Sequence, residues 1–362
     1  MKKFVLVLMI LPVIFTSCED NKLVDFGPYQ VLEPKNPIPK GARMFGINLS
    51  ESKFGFEASF TNLQEAGTDM VEINIPWNAI ETSKGKYTDP WGGVIAATSY
   101  YGANHIKVCF SIALINTVKW EIPEYLSDAD PSSSEFINAF TSMMDWFMKT
   151  VPENVTIPGI SIGNEVDLVL EGADEWAAYT TFYEAAVQHM HQNYPGIKIG
   201  VKSTVRGGLY TINKANVIAI NEHSDVVMLN YYPMNEDYQV KLPEVVHDDF
   251  ARIVNYFPRK EIWMAEVGYQ SGTKYCNSTK TKQAHFYHEL FEAWDTHKND
   301  ITVVLVNWLH DQAPETIEAW KDYYGNDPAL VEYLSTLGLR NYDGSAKAAW
   351  EQVMKELETR EW

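Results

Sequence analysis

Apolar positions along this chain gather into short, nearly uninterrupted runs that recur from its first third to its last. They are "MFGIN" from 44, "MVEINI" from 70, "IKVCFSI" from 106, "IPGISI" from 157, "IKIGV" from 197, "VVMLN" from 226, "EIWMAE" from 261 and "ITVVLVNW" from 301. They are rich in β-branched residues, as expected of strands buried on both faces. Between them lie segments of helical length and period, clearest in 175–194, 280–297 and 346–358. Strands alternating with helices predict a parallel sheet covered on its outside. Eight such units predict an α/β fold closed into a (β/α)8 TIM barrel, a single domain. An open, doubly wound sheet is the alternative, weakened because no glycine-rich phosphate loop follows the first run.

Before the first run the chain has a different character. It opens "MKKFVLVLMILPVIFTSC", two lysines and an apolar stretch too short for a finished membrane span, then small residues before Cys18. This resembles a bacterial lipoprotein signal, with Phe15-Thr16-Ser17-Cys18 as the lipobox and an ordinary secretory leader as the competing reading. The resemblance implies a leader over 1–17, a lipid on the Cys18 sulfur and anchoring to the cell envelope. Acidic residues directly after Cys18 resemble surface-export signals of some Gram-negative gut bacteria, which points to the outer membrane. Residues 18–42 are polar with four prolines and are expected to be a tether, leaving 43–362 as the folded domain.

Charge narrows the partners. The formal charge is −19, and losing Lys2 and Lys3 with the leader makes it −19 − 2 = −21. Nucleic acid and anionic membrane surfaces would be repelled, so membrane association is expected through acyl chains alone. Cys109 sits in an apolar run and Cys276 in a polar loop, a placement that argues against a disulfide. A monomer is expected.

In a barrel of this kind chemistry sits where the strands end. Glu165 follows the fourth run and Glu266 ends the seventh, 101 residues or three βα units later, so both belong on one rim. Asn221-Glu222 precedes the sixth run and Asn235-Glu236 lies in the loop beyond it, so position separates these pairs from Asn164-Glu165. Two rim carboxyls are the minimal machinery for breaking a glycosidic bond: one protonated to donate to the leaving oxygen, the other ionised to attack carbon or position water. A gap of about 5 Å means retention and a wider one inversion.

At "GISIGNEVD" (159–167) and "EIWMAEVGYQSG" (261–272) the chain resembles clan A of the glycoside hydrolases, retaining (β/α)8 enzymes with an Asn-Glu acid/base after strand four and a Glu nucleophile at strand seven. "WNAIETSKGKYTDPW" (77–91), "NYYP" (230–233), Trp308 and "LGLRNYDGSAKAAWEQV" (337–353) are similar to further clan features. Locally, "NYYP" resembles family 53 endo-β-1,4-galactanases and "AEVGYQSG" family 113 β-mannanases, and neither string fixes a family. The resemblance implies a carbohydrate partner, Glu165 as acid/base, Glu266 as nucleophile and Asn164 as a hydrogen-bond partner of the sugar. Asn230 and Tyr232 share one face of their run and Tyr231 the other, so which tyrosine meets Glu266 stays open. Trp77 and Trp308 would be sugar platforms.

One position departs from the clan. Many members carry an arginine in strand two beside the nucleophile, and Glu72 stands there instead. A third carboxylate would raise the nucleophile's pKa unless a cation compensates, and Lys202 and Arg206 are the candidates. Without compensation the alternative is a catalytically silent, glycan-binding surface lipoprotein with the same barrel. His310 could reach the rim. His285 and His288, three apart on a helix beyond the rim, are expected to be solvated or packed rather than metal ligands, and no cofactor motif appears.

Overall fold

The computed structural model describes residues 29–362. The expected leader, Cys18 and the first part of the expected tether lie outside the described residues. Val31–Trp362 forms one compact unit. All eight apolar runs are strands: β1 Met44–Ile47, β2 Met70–Pro76, β3 Lys107–Asn116, β4 Gly159–Asn164, β5 in two pieces (Lys198–Gly200 and Lys202–Thr204), β6 Val226–Tyr231, β7 Glu261–Val267 and β8 Ile301–Val306. Every pairing around the ring is parallel, β1 lying between β2 and β8. The ring closes through β5, whose first piece pairs with β4 and whose second pairs with β6.

Side-chain alternation puts every second strand residue inside the barrel. Toward the amino ends of the strands these positions are apolar, and Met44, Met70, Cys109, Val226, Met228, Trp263, Ala265, Val303 and Leu305 pack together. The same step of two then reaches Asn48 after β1, Glu72 and Asn74 on β2, Asn230 on β6 and Asn307 after β8. One interior column thus changes from hydrocarbon to amide and carboxylate as it approaches the mouth.

The outer layer is α1 (Phe56–Glu65), α2 (Ser99–Ala103), α3 (Ser134–Thr150), α4 (Gly172–Asn193), α5 (Lys214–Ile220), α6 (Val245–Tyr256) and α7 (Lys280–Thr296). In α3 the Ser133 hydroxyl accepts the Phe136 N–H as an N-cap, and Phe136, Phe140, Met143, Met144 and Phe147 fall on one buried stripe. Each contributes roughly 1.5–3 kcal/mol by leaving water. After β8 come α8 (Pro314–Tyr324) and α9 (Pro328–Ser335), separated by Gly325 and the Asp327 N-cap, then α10 (Ala348–Thr359).

Residues 31–42, read in the sequence as tether, lie along the barrel instead. The Leu32 N–H donates to Gln352 Oε1 at 2.8 Å and its carbonyl accepts from Gln352 Nε2 at 3.0 Å. Farther on, Asp295 accepts from the Ile38 N–H and from the buried guanidiniums of Arg43 and Arg360. Cys109 and Cys276 are both buried free thiols.

Candidate active site

β4 and β7 deliver their carboxylates by two different backbone devices. At the end of β4, Gly163 has φ +93° and lies so close to Tyr179 that a Cβ would sit 2.4 Å from its Oη. That hydroxyl donates to the Ile162 carbonyl at 2.9 Å, which pins the turn. Glu165 then takes φ 55° and ψ 46°, a left-handed conformation that costs a non-glycine residue about 1–3 kcal/mol. The turn carries its carboxyl into the barrel mouth. In β7 the device is a bulge. Leu229 pairs with Met264 but Asn230 pairs with Glu266, leaving Ala265 as an extra residue. Strict alternation would send Glu266 outward; the bulge lets both Ala265 and Glu266 face the interior.

Both oxygens of Glu266 are held. Lys202 Nζ donates to Oε1 at 2.8 Å, while Tyr232 Oη at 2.7 Å and Asn307 Nδ2 at 2.9 Å donate to Oε2. The Asn307 amide is itself oriented, because Asn48 Nδ2 donates to its Oδ1 at 2.6 Å. Asn48 Oδ1 in turn accepts the Glu72 N–H at 2.7 Å. Lys202 has no exposed surface, and its Nζ also donates to Glu72 Oε1 at 2.5 Å. Burial alone would lower this ammonium's pKa; its attraction to Glu266 and Glu72 outweighs burial and raises it. Burial pushes the Glu72 carboxyl up to about 7, against the pull of Lys202 and with a further push from Glu266. The compensating cation is therefore Lys202, and Glu72 is its second carboxylate partner. Arg206 reaches the pocket wall but donates to the Asn235 carbonyl at 3.0 Å.

Glu165 has a different environment. Asn230 Nδ2 donates to its Oε1 at 3.0 Å and touches Asn164 Oδ1 at 3.3 Å. Asn164 Nδ2 donates to Asn116 Oδ1 at 3.0 Å, continuing the amide chain to β3. With 9% of its surface exposed, Glu165 is pushed up to about 7, first by burial and then by the nearby charge of Glu266, with the Asn230 hydrogen bond pulling the other way. One carboxyl is thus ready to carry a proton while its neighbour is wrapped in donors, an arrangement suited to paired acid and nucleophile work.

The two carboxyls line a pocket of about 460 Å³. One wall is aromatic: Trp308 packs against Trp320 of α8 with centroids 5.3 Å apart, and Tyr324, Tyr333, Tyr232 and Tyr238 continue it. Of the residues singled out in the sequence, Glu165, Glu266, Asn164, Asn230, Tyr232 and Trp308 meet here. Three do not. Trp77 is fully buried, edge-on to Phe136 and Phe140 and donating through Nε1 to Glu81, so it is a core residue and no sugar platform. Tyr231 points outward, donating to Asp249 of α6 at 2.8 Å, which settles the choice of tyrosine in favour of Tyr232. His310 is buried under the loop after β1, its Nδ1 at 2.9 Å from the Ser50 carbonyl oxygen. Asn48, Asn307 and Asn116 escaped the sequence reading although each ends a strand run, the signal that also marks Asn230. Trp320, Tyr324 and Tyr333 carried no such signal.

No known family profile matches the sequence, and no curated protein does. Solved structures similar in fold include an exo-β-1,4-mannosidase from an Opitutaceae bacterium, strain TAV5, at 13% identity over 91% of this chain and 61% of that chain, with TM-score 0.68. The GH53 catalytic domain of Ignisphaera aggregans is similar at 17% identity over 91% and 99% of the two chains, with TM-score 0.64. GH5_18 from Streptomyces cattleya in complex with GlcNAc is similar at 12% identity over 90% and 81%, with TM-score 0.68. The chain therefore has the TIM-barrel fold found in these glycoside hydrolases.

Proposed function

We propose that this protein is a retaining glycoside hydrolase that cleaves a β-linked polysaccharide or oligosaccharide by double displacement. The observation that carries the reading is the asymmetry of two carboxyls in one pocket: Glu165 buried and pushed up to about 7, and Glu266 accepting three hydrogen bonds on two oxygens. The fold neighbours named for β-linked sugars support the linkage class.

In the first step Glu165 donates its proton to the glycosidic oxygen while a Glu266 oxygen attacks the anomeric carbon. The C–O bond to the leaving sugar breaks and a glycosyl ester forms. Lys202 and Tyr232 hold and aim the Glu266 carboxylate. Esterification removes the negative charge that helped to raise Glu165, so the now ionised Glu165 is the weaker acid's conjugate no longer and persists as a carboxylate. It then takes a proton from water, whose oxygen attacks the anomeric carbon and frees Glu266. Asn164 is placed to bond the hydroxyl beside the reacting carbon, and Trp308 to stack on a sugar face.

The reading extends to the cell. Anchoring through lipidated Cys18 in the outer envelope would hold the barrel near polymeric substrate. Incorporation of an alkyne-tagged fatty acid, lost in Cys18→Ala, tests that part. The catalytic part is tested by release of reducing ends from a panel of β-linked aryl glycosides and polysaccharides, beside Glu165→Gln and Glu266→Gln. Turnover that both substitutions abolish supports the reading; sugar binding without turnover in all three proteins would favour a silent glycan-binding lipoprotein.

A further inference from the structure

Outside the pocket, on the helical layer, two histidines and two glutamates converge between α6 and α7. Glu244 immediately precedes α6 and His247 lies one turn into it; His285 and Glu289 are one turn apart on α7. His285 Nε2 lies 3.1 Å from Glu289 Oε1 and 3.7 Å from Glu244 Oε1. One ligand atom from each of Glu244, His285 and Glu289 falls within 4.8 Å of the others. The pairing weighed in the sequence, His285 with His288, is not the one formed. His288 turns inward, its Nδ1 at 2.7 Å from Glu356 Oε1.

We propose that Glu244, His285 and Glu289 bind a divalent transition-metal ion of the zinc type that ties α6 to α7. Tetrahedral coordination at ~2.0–2.2 Å sets ligand atoms ~3.3–3.6 Å apart. The two distances from His285, 3.1 and 3.7 Å, bracket that spacing, and all three ligand atoms lie within 4.8 Å of one another, so small rotations at the tips of these side chains would close them around an ion. The donor set of one imidazole and two carboxylates suits zinc and its neighbours, whereas calcium and magnesium prefer oxygen alone. His247 completes the site from behind. Its Nε2 lies 2.7 Å from Glu289 Oε2, the oxygen that does not face His285, and so holds the carboxylate in its ligating orientation. Lys282, which feels the charge of Glu244, donates its ammonium to the Asn277 carbonyl at 2.9 Å. Two carboxylates and one imidazole make a donor set whose charge a divalent cation balances. The ion would act on the packing of α6 against α7, not on the pocket.

The test is isothermal titration of the EDTA-stripped protein with Zn2+, beside His285→Ala, His247→Gln and, as a control, His189→Ala on α4, whose imidazole pairs with Asp145. One ion per chain is expected at this site, with binding lost in His285→Ala, weakened about 10–100-fold in His247→Gln and unchanged in His189→Ala. Zn2+ should also raise the melting temperature of the wild type and not of His285→Ala. A variant that fails to fold is covered by Co2+ titration of the wild type. Visible d–d absorption without a thiolate charge-transfer band supports a nitrogen and oxygen donor set. Binding that His285→Ala leaves unchanged, or a thiolate band on cobalt, would overturn the proposal.

Discussion

Lys202→Met removes the ammonium between Glu72 and Glu266 while keeping a chain of similar length. Lys202 has no exposed surface and lies 2.5 Å from Glu72 and 2.8 Å from Glu266, so its loss strands two carboxylates with no cation between them. Breaking a buried ion pair by deleting one partner costs about 3–5 kcal/mol. At roughly 2.1 cal/mol/K per residue, Val31–Trp362 unfolds with an entropy of ~0.7 kcal/mol/K, which converts that loss to a melting point lower by ~4–7 °C at pH 7. The deficit has a definite pH sign. Without the pull of Lys202, the Glu72 carboxyl, already pushed up to about 7 by burial, rises further above its unfolded value, so stability is lost as pH rises through that higher value and kept below the unfolded one. The gap to wild type should therefore narrow between pH 8 and pH 5. Glu266 also loses the donor that aims its Oε1, and a misaimed attacking oxygen should lower kcat on the order of 100-fold. Glu72→Gln is the companion: it leaves Lys202 paired with Glu266 and should keep kcat within a few-fold. Differential scanning calorimetry from pH 5 to 8 and initial rates on the best substrate read both effects. A Lys202→Met protein with wild-type melting and turnover, or a Glu72→Gln protein as impaired as Lys202→Met, would refute this use of the lysine.

Four further outcomes follow from the geometry. In the proposed mechanism Glu165 donates a proton, and it is pushed up to about 7, so turnover should decline on the alkaline side around that pH. The same rise above the unfolded value of about 4.5 means that Glu165 opposes folding as pH climbs through about 7, so Glu165→Gln should be more stable than wild type at pH 8, by up to about 3 kcal/mol, and not at pH 4. Gly163→Ala places a Cβ 2.4 Å from Tyr179 Oη at a positive φ, so chemical denaturation should show a loss of about 2 kcal/mol or more, partly recovered when Tyr179→Phe removes the hydroxyl. Asp295→Ala strands the buried Arg43, leaves Arg360 with Glu356 as its remaining acidic partner and frees the Ile38 N–H; a loss of about 3–5 kcal/mol and new proteolytic cleavage within residues 31–42 are expected.

Much of the barrel was legible because its strands are buried on both faces, which makes them nearly continuous apolar runs that helices punctuate. Glu165 and Glu266 were legible because they end two of those runs three units apart. The roles of their neighbours were less so. Alternation placed Tyr232 with Asn230 and Tyr231 opposite, which holds, but period-two counting would have sent Glu266 outward; only the bulge at Ala265 brings it in, and a bulge leaves little mark in sequence. Trp77 was misjudged because a tryptophan just past a strand end fits a platform or the core equally well until the packing of Phe136 and Phe140 decides. Glu72 looked like a defect because its partner sits 130 residues away on β5. Pairing with Lys202 removes the reason to think the site silenced. The proline-rich stretch before β1 has the composition of a linker, yet its backbone groups from residue 32 bond to side chains of the last helices, which composition does not show.

The most direct measurement is covalent trapping. A 2-deoxy-2-fluoro glycoside with a good leaving group, built on the sugar that the substrate panel identifies, slows release of the glycosyl ester enough to catch it. Peptide mapping should find the added sugar on Glu266, and a β-linked substrate should yield the β-anomer first. A label on another residue, or an α-anomer as first product with Glu266 unlabelled, would contradict double displacement at this glutamate.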